Sequence, residues 1–270
     1  MTVKAVAKPR WQPSPLLIRI LSGGAILFAF LALLLAGEWG IRVLVVVVGG
    51  LALWEFRGLS HKIGFRAPSW LIFPLGAYFA FSGTLLKRVD IELVLSLALV
   101  VGLAAFLILP ERRGGLGRWA MGLGGAIYIG LPFNYYLLLY ASAPRDGMAW
   151  ILFTILAVVV SDTAALLVGR AVGHTPFFQG ISPHKTVEGA VAGILLCAPV
   201  MLLGSVTGLE IGPLHAVVIG LLIGLSAEVG DLVESQMKRV AGVKDSSNLI
   251  PGHGGVLDRI DSLLFPPILV

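Results

Sequence analysis

An all-α, polytopic bundle of transmembrane helices is the fold class this sequence predicts, and three observations carry that prediction. The chain of 270 residues is 57% hydrophobic and 13% charged, with a mean hydropathy of +0.93, far too apolar for a soluble domain. Apolar stretches of about 20 residues recur along it, each long enough to cross a bilayer core as a helix. The 20 Lys and Arg residues fall unevenly on the segments joining those stretches.

The spans are expected at roughly 16–36, 40–56, 67–86, 91–110, 119–141, 148–168, 188–207 and 211–229, with a shorter one from 262 onward, about nine in all. Lys4, Lys8 and Arg10 precede the first in the manner of a secretory signal. Its apolar run is longer than a signal's, and the polytopic continuation predicts a retained helix. In the second, Glu55 stands beside Trp54 and Arg57 and is expected to pair locally or snorkel to the interface. In the fifth, Tyr128, Tyr135, Tyr136 and Tyr140 read as interfacial aromatics and Asn134 as a helix–helix hydrogen bond. Gly122, Gly125 and Gly130 permit close packing within one chain or between two, as in a homodimer. The single cysteine, Cys197, lies mid-span in the seventh as a packing residue, which excludes an intramolecular disulfide and a cysteine metal site.

Charge sets the orientation. With the N-terminus cytoplasmic, sixteen of the 20 basic residues, Arg112 and Arg113 among them, fall on the cytoplasmic side, against Arg42, Lys87, Arg88 and Arg145 on the other. The net charge of +5 is then a surface facing anionic headgroups. No nucleic-acid motif is present. The chain is expected to be a multi-pass protein of the inner cell membrane with its working face toward the cytoplasm.

The two parts of the chain differ in kind. Residues 1–145 read as scaffold helices facing lipid, with no spacing that suggests a site. Residues 146–270 bring ionisable groups into the spans and carry cytoplasmic loops at 170–187 and 231–254, which marks them as the catalytic region.

Asp162 interrupts the sixth span, where a carboxylate costs a few kcal/mol and needs a cationic or hydrogen-bonding partner. In the following loop, Pro183 blocks helix at Ser182, Thr186 is placed as N-cap of the seventh span, and Glu188 sits in its first turn. Lys185 beside that helix start makes a corner suited to an anion such as phosphate. In the eighth, Glu228, Asp231, Ser235 and Lys238 follow one helical face, and Glu234 to Lys238 reads as a solvated i,i+4 pair. Beyond the loop, Gly254 and Gly255 allow a tight turn into a helix bearing Asp258, Arg259 and Asp261.

Asp258 and Asp261 share a face, and two carboxylates about 6 Å apart repel by close to 3 kcal/mol at an effective dielectric of about 20. With Asp231 they call for a divalent cation. Mg²⁺ suits such a set, completing its shell with water and substrate phosphate oxygens. Lys238, Arg239, Lys244 and Arg259 could then hold a polyphosphate against it.

The segment SQMKRVAGVKDSSNLIPGHGGVLDRID, Ser235 to Asp261, resembles the signature of the phosphatidate cytidylyltransferase family, and SDTAALLVGR with ISPHKTVEG resembles that family's second cluster, with Leu166 where an aromatic is common. The resemblance covers the C-terminal 110 or so residues. It implies a nucleotidyltransferase of phospholipid biosynthesis that moves CMP from CTP to phosphatidic acid, giving CDP-diacylglycerol and pyrophosphate. Asp231, Asp258, Asp261, Lys238 and Arg259 would then be catalytic, with Mg²⁺ on the three aspartates. Asp162 either joins that site or fixes Lys185, and a monovalent ion beside Mg²⁺ is left open. Ser182, Lys185, Thr186, Arg239, Lys244, His253, Gly254 and Gly255 would bind substrate. Two other readings use the same residues: a CTP-dependent lipid-alcohol kinase, which would release CDP, and a cation-coupled transporter with Asp162, Glu188, Glu228 and Asp231 along an ion path.

Overall fold

The computed structural model describes residues 14–108, 114–143 and 146–270, and among them every regular element is a helix. Lys4, Lys8, Arg10, Arg112, Arg113 and Arg145, counted in the charge asymmetry, lie outside the described residues. The helices are α1 (Pro15–Leu35), α2 (Gly37–Ile63), α3 (Ser69–Phe81), α4 (Ile91–Ile108), α5 (Gly115–Ser142), α6 (Gly147–Val172), α7 (Val187–Thr207), α8 (Pro213–Val240), α9 (Leu257–Leu264) and α10 (Pro266–Leu269).

Six of them, α1, α2, α5, α6, α7 and α8, are long and apolar enough to cross a membrane, against the eight or nine expected. The shortfall has local causes. Asn134 on α5 accepts a hydrogen bond from Gly83 N at 2.8 Å, just beyond the end of α3, and Tyr78 donates to the Val89 carbonyl at 2.8 Å, so the chain turns back after 13 helical residues. Such a helix is about 20 Å long, short of a hydrocarbon core of about 30 Å. The apolar part of α4, Ile91–Ala105, is likewise short. The span expected from 262 onward is replaced by α9 and α10, because Pro266 and Pro267, which lack backbone N–H groups, break the run.

Three apolar clusters hold the bundle. Leu53, Phe56 and Leu59 of α2 pack with Ile72 and Phe79 of α3, Ala126 and Ile129 of α5, and Leu257 and Leu264 of α9. Val158 of α6, Cys197 and Met201 of α7 and Ile223 of α8 form the second. The third joins Leu34, Ile41, Val45, Leu137 and Ile151. Cys197 is buried and donates to the Ala157 carbonyl, the packing role expected of it. Outside these clusters the large apolar side chains of α1, Ile20, Leu27 and Phe28 among them, are exposed, as on a surface solvated by lipid.

Gly122, Gly125 and Gly130 are used within the chain: Leu71, Phe56, and Gly76 with Phe79 occupy the space beside them. At Gly130 an added Cβ would come within 2.7 Å of the Gly76 carbonyl oxygen and 2.8 Å of Phe79 Cβ, whereas Gly124 has nothing within 4 Å. Gly130→Ala should therefore force α3 from α5 at a cost of about 1–3 kcal/mol, lowering the thermal unfolding temperature of the detergent-solubilised protein. Gly124→Ala should leave it unchanged; equal effects would refute the crossing.

Candidate active site at the loop end of α8

The polar residues of α8 face the loop between α6 and α7 and the short helix α9. Their backbones meet closely: at Gly230 an added Cβ would lie 2.4 Å from the Asp261 carbonyl oxygen. Tyr136 of α5 donates to the Leu263 carbonyl at 2.9 Å and holds α9 from the other side.

The α6–α7 loop is shaped by its own residues. Thr186 caps α7, its hydroxyl accepting from Gly189 N at 3.2 Å, as the sequence predicts. Glu188 reaches back to the amides of His174 and Thr175 at 3.1 to 3.2 Å and ties both loop ends together. Arg239 at the end of α8 donates to the Ile181 carbonyl at 2.9 Å. Lys185 is thereby aimed at α8, where its ammonium lies 2.5 Å from Glu228 and 2.8 Å from Asp231. Burial works against that charge, yet Asp231 and Glu228 outweigh it and hold the ammonium above its ordinary pKa. Ser235 donates to the other Asp231 oxygen at 3.1 Å.

One turn nearer the helix end, Lys238 is buried between Glu234 and Asp258, at 2.7 Å from the latter. The Glu234–Lys238 pair is therefore a core interaction, not the solvated pair expected; Glu234 is 0% exposed. Asp258 also accepts from Ser246 N at 2.9 Å, Ser246 Oγ at 2.9 Å and Gly255 N at 2.8 Å. Burial opposes its ionisation, but the Lys238 bond and these amides keep its carboxyl below the usual carboxylate range. Asp261 differs. Among the described residues it accepts only from its neighbour Ser262, and burial first, then the charge of Asp231, push its carboxyl up to about 7. Asp162 lies within reach of Ser262 and in the field of Asp231, Glu228 and Lys185.

The predicted residues thus fall into groups. Asp231, Glu228 and Lys185 form one, Asp258, Lys238 and Glu234 a second, and Asp261 with Asp162 lies beside the first. Among the described residues no set of three or more His, Cys, Asp or Glu stands arranged as a metal cage, because Asp258 and Asp231 turn toward lysines. Lys244 and Arg259 are exposed, with no ion-pair partner among the described residues. Ser182 turns within the loop, its N–H donating to the Phe178 carbonyl. His253 leans on α1, its Nδ1 3.0 Å from Ser22 Oγ. Gly254 takes φ +85 in the tight turn the sequence predicts.

Glu55 is the residue sequence reading missed. It neither pairs locally nor reaches the interface: it is 1% exposed and accepts four hydrogen bonds from the 246–257 segment, while Arg57 donates elsewhere, to the Ala67 carbonyl. A signal was present. Arg57 is two positions away and so off the Glu55 face, and none of Leu51, Ala52, Gly58 or Leu59, which share that face, is basic.

The chain matches the model of the cytidylyltransferase family over residues 17–270. It is 30% identical over 255 residues to a Bacillus subtilis protein named phosphatidate cytidylyltransferase, covering 92% of this chain and 93% of that protein. Proteins of the same name from Staphylococcus saprophyticus and Staphylococcus haemolyticus are each 31% identical, over 92% of this chain and 95% of their own length.

Two outcomes follow from the ion pairs. Lys185→Met strands Glu228, which is buried, and should destabilise the protein by about 3 kcal/mol in denaturant unfolding; adding Glu228→Gln should recover part of that, and no recovery would refute the pairing. Asp258 has a depressed carboxyl, so its contribution is complete above its ordinary value and is lost as the pH falls through the depressed one. Protection of the 246–257 segment from proteolysis should hold from about pH 5 to 8 and fail in stronger acid. Asp258→Asn should reduce that acid step.

Proposed function

The chain belongs to the cytidylyltransferase family, and from that membership we propose the following reading of its site. It is a membrane nucleotidyltransferase that moves CMP from CTP to phosphatidic acid and releases pyrophosphate and CDP-diacylglycerol. The observation that carries this reading is the folding of the signature segment, Ser235 to Asp261, into one unit in which α8 and α9 bring Asp231, Lys238, Asp258 and Asp261 to the same end of an apolar bundle.

The chemistry of the acidic residues suits Mg²⁺, with Asp261 as the carboxylate that no lysine occupies among the described residues, although they do not stand as a preformed cage. Asp261 is buried, has no cationic partner within ion-pair distance among the described residues, and shares the field of Asp231. A bound cation would relieve that repulsion, as Lys185 relieves it for Asp231 and Glu228. Asp231 and Asp261 would hold it, with Asp258 and Asp162 adjacent. When bound, Mg²⁺ supplies charge neutralisation at phosphate oxygens.

In the proposed transfer a phosphatidate oxygen forms a bond to the α-phosphorus of CTP while the bond to pyrophosphate breaks in line. The attacking phosphomonoester is already ionised near neutral pH, so no side chain need take its proton. Lys244 and Arg259, free of ion pairs among the described residues, are available for the triphosphate and the departing pyrophosphate, with Arg239 at the rim. Ser182 and Thr186 border the second phosphate. Lys238 has a different task from the one its charge suggests: fixed between Glu234 and Asp258, it holds Asp258 in place.

The site faces the cytoplasm in this reading. Treating α3 and α4 as a pair that returns to the side it left keeps the parity of α5 to α8 whether or not that pair crosses, so the loops after α2, α6 and α8 share one side. That side carries Arg170, Lys185, Lys238, Arg239 and Lys244.

Purified protein given labelled CTP, Mg²⁺ and phosphatidic acid should yield CDP-diacylglycerol and pyrophosphate in equal amounts; CDP with a phosphorylated lipid would instead establish a kinase. Asp261→Asn should lower turnover by at least about 100-fold while the protein stays folded. Near-normal turnover would overturn the cation role.

A further inference from the structure

Glu55 lies on α2, almost two hundred residues from the signature segment in sequence, yet its carboxylate is where that segment is gathered. One oxygen accepts from Ser247 Oγ at 2.6 Å and Val256 N at 2.9 Å. The other accepts from Leu257 N at 2.6 Å and lies 3.2 Å from Ser246 Oγ. Ser246 and Ser247 begin the loop, and Val256 and Leu257 close it, so a single side chain clasps both ends. The N-cap position of α9, Val256, offers no side-chain acceptor, and Glu55 supplies from outside the helix the cap that it lacks. The fit is close enough to dictate a neighbour: at Gly255 an added Cβ would lie 2.1 Å from Ser246 Oγ and 2.5 Å from a Glu55 oxygen.

The same donors reach Asp258. The Ser246 hydroxyl stands between the two carboxylates, 2.9 Å from Asp258, and Ser246 N and Gly255 N complete the Asp258 shell. Moving the loop ends therefore moves the groups that orient Asp258 against Lys238. The carboxylate of Glu55 has no cation within ion-pair distance among the described residues, and Glu55 is 1% exposed, so the charge is balanced by these four donors. A buried charge held only for bulk packing would be poor economy beside an apolar residue of similar volume.

We propose that Glu55 is a positioning residue for the transferase centre, acting through the 246–257 loop to set the orientation of Asp258 and of the α9 aspartates. It rests on the cytidylyltransferase reading and extends the site into the N-terminal part of the chain.

Glu55→Gln is the direct test, because the amide has the same shape but must present N–H₂ to Val256 N or to Leu257 N, whichever way it lies. Wild-type protein is assayed first for CDP-diacylglycerol formation; failure there refutes the functional reading and not this one. Given activity, Glu55→Gln should lower kcat at least 10-fold with KM for phosphatidate altered less than about 3-fold. Amide hydrogen exchange should rise in 244–258 and stay unchanged in α6 and α7. Glu55→Asp, which keeps the charge, should recover part of kcat. Gly130→Ala serves as a destabilised comparison that should keep the wild-type kcat per folded molecule. Wild-type kcat in Glu55→Gln, or loss of activity that follows only the loss of folded protein, would overturn the proposal.

Discussion

A carboxylate withdrawn from water has to be met by donors or cations, and the loop end of this bundle is organised around meeting five of them. Lys185 serves Glu228 and Asp231, Lys238 serves Glu234 and Asp258, and the amides and hydroxyls of the 246–257 loop serve Asp258 and Glu55. Apart from the Glu234–Lys238 pair within α8, each of these contacts joins elements that apolar packing alone would leave free to slide. The hydrophobic clusters bring α2, α8 and α9 together, but non-directional burial does not choose a register. The polar contacts do.

Asp261 stands apart from that scheme, buried in the field of Asp231 with no ion-paired lysine among the described residues. The difference separates two kinds of acid in one site. Carboxylates met by a lysine or by loop amides shape the loop, whereas the one left short of positive charge is where an external ligand has something to contribute. Lys238 illustrates how position changes the meaning of a residue type: a cation in a basic stretch reads as a phosphate binder, yet this one is enclosed by two acids.

Much of this was legible in the letters. The helical period placed Glu228, Asp231, Ser235 and Lys238 on one face, the Ser-Pro-His-Lys-Thr run foretold the α7 cap, and the Gly-Gly turn was read correctly. Helix count was less legible, because hydropathy registers an apolar stretch and not whether it stays helical; Asn134 ends α3 from a helix more than fifty residues away. Glu55 was missed for the same reason. Its partners are serines and backbone amides near the far end of the chain, and backbone amides leave no trace in residue identity. The only hint was negative, a charge whose helical neighbours offered it nothing.

The closeness of α8 to α9 at Gly230 fixes how deep the acids sit. Gly230 is ten residues from the end of α8, about 15 Å along its axis, so Asp261, itself buried, lies well inside that helix end rather than at its rim. The two substrates proposed for it would then make unequal journeys. A phospholipid, already threaded into its leaflet, needs only to drift sideways, while the water-borne nucleotide has to descend and leave most of its hydration behind.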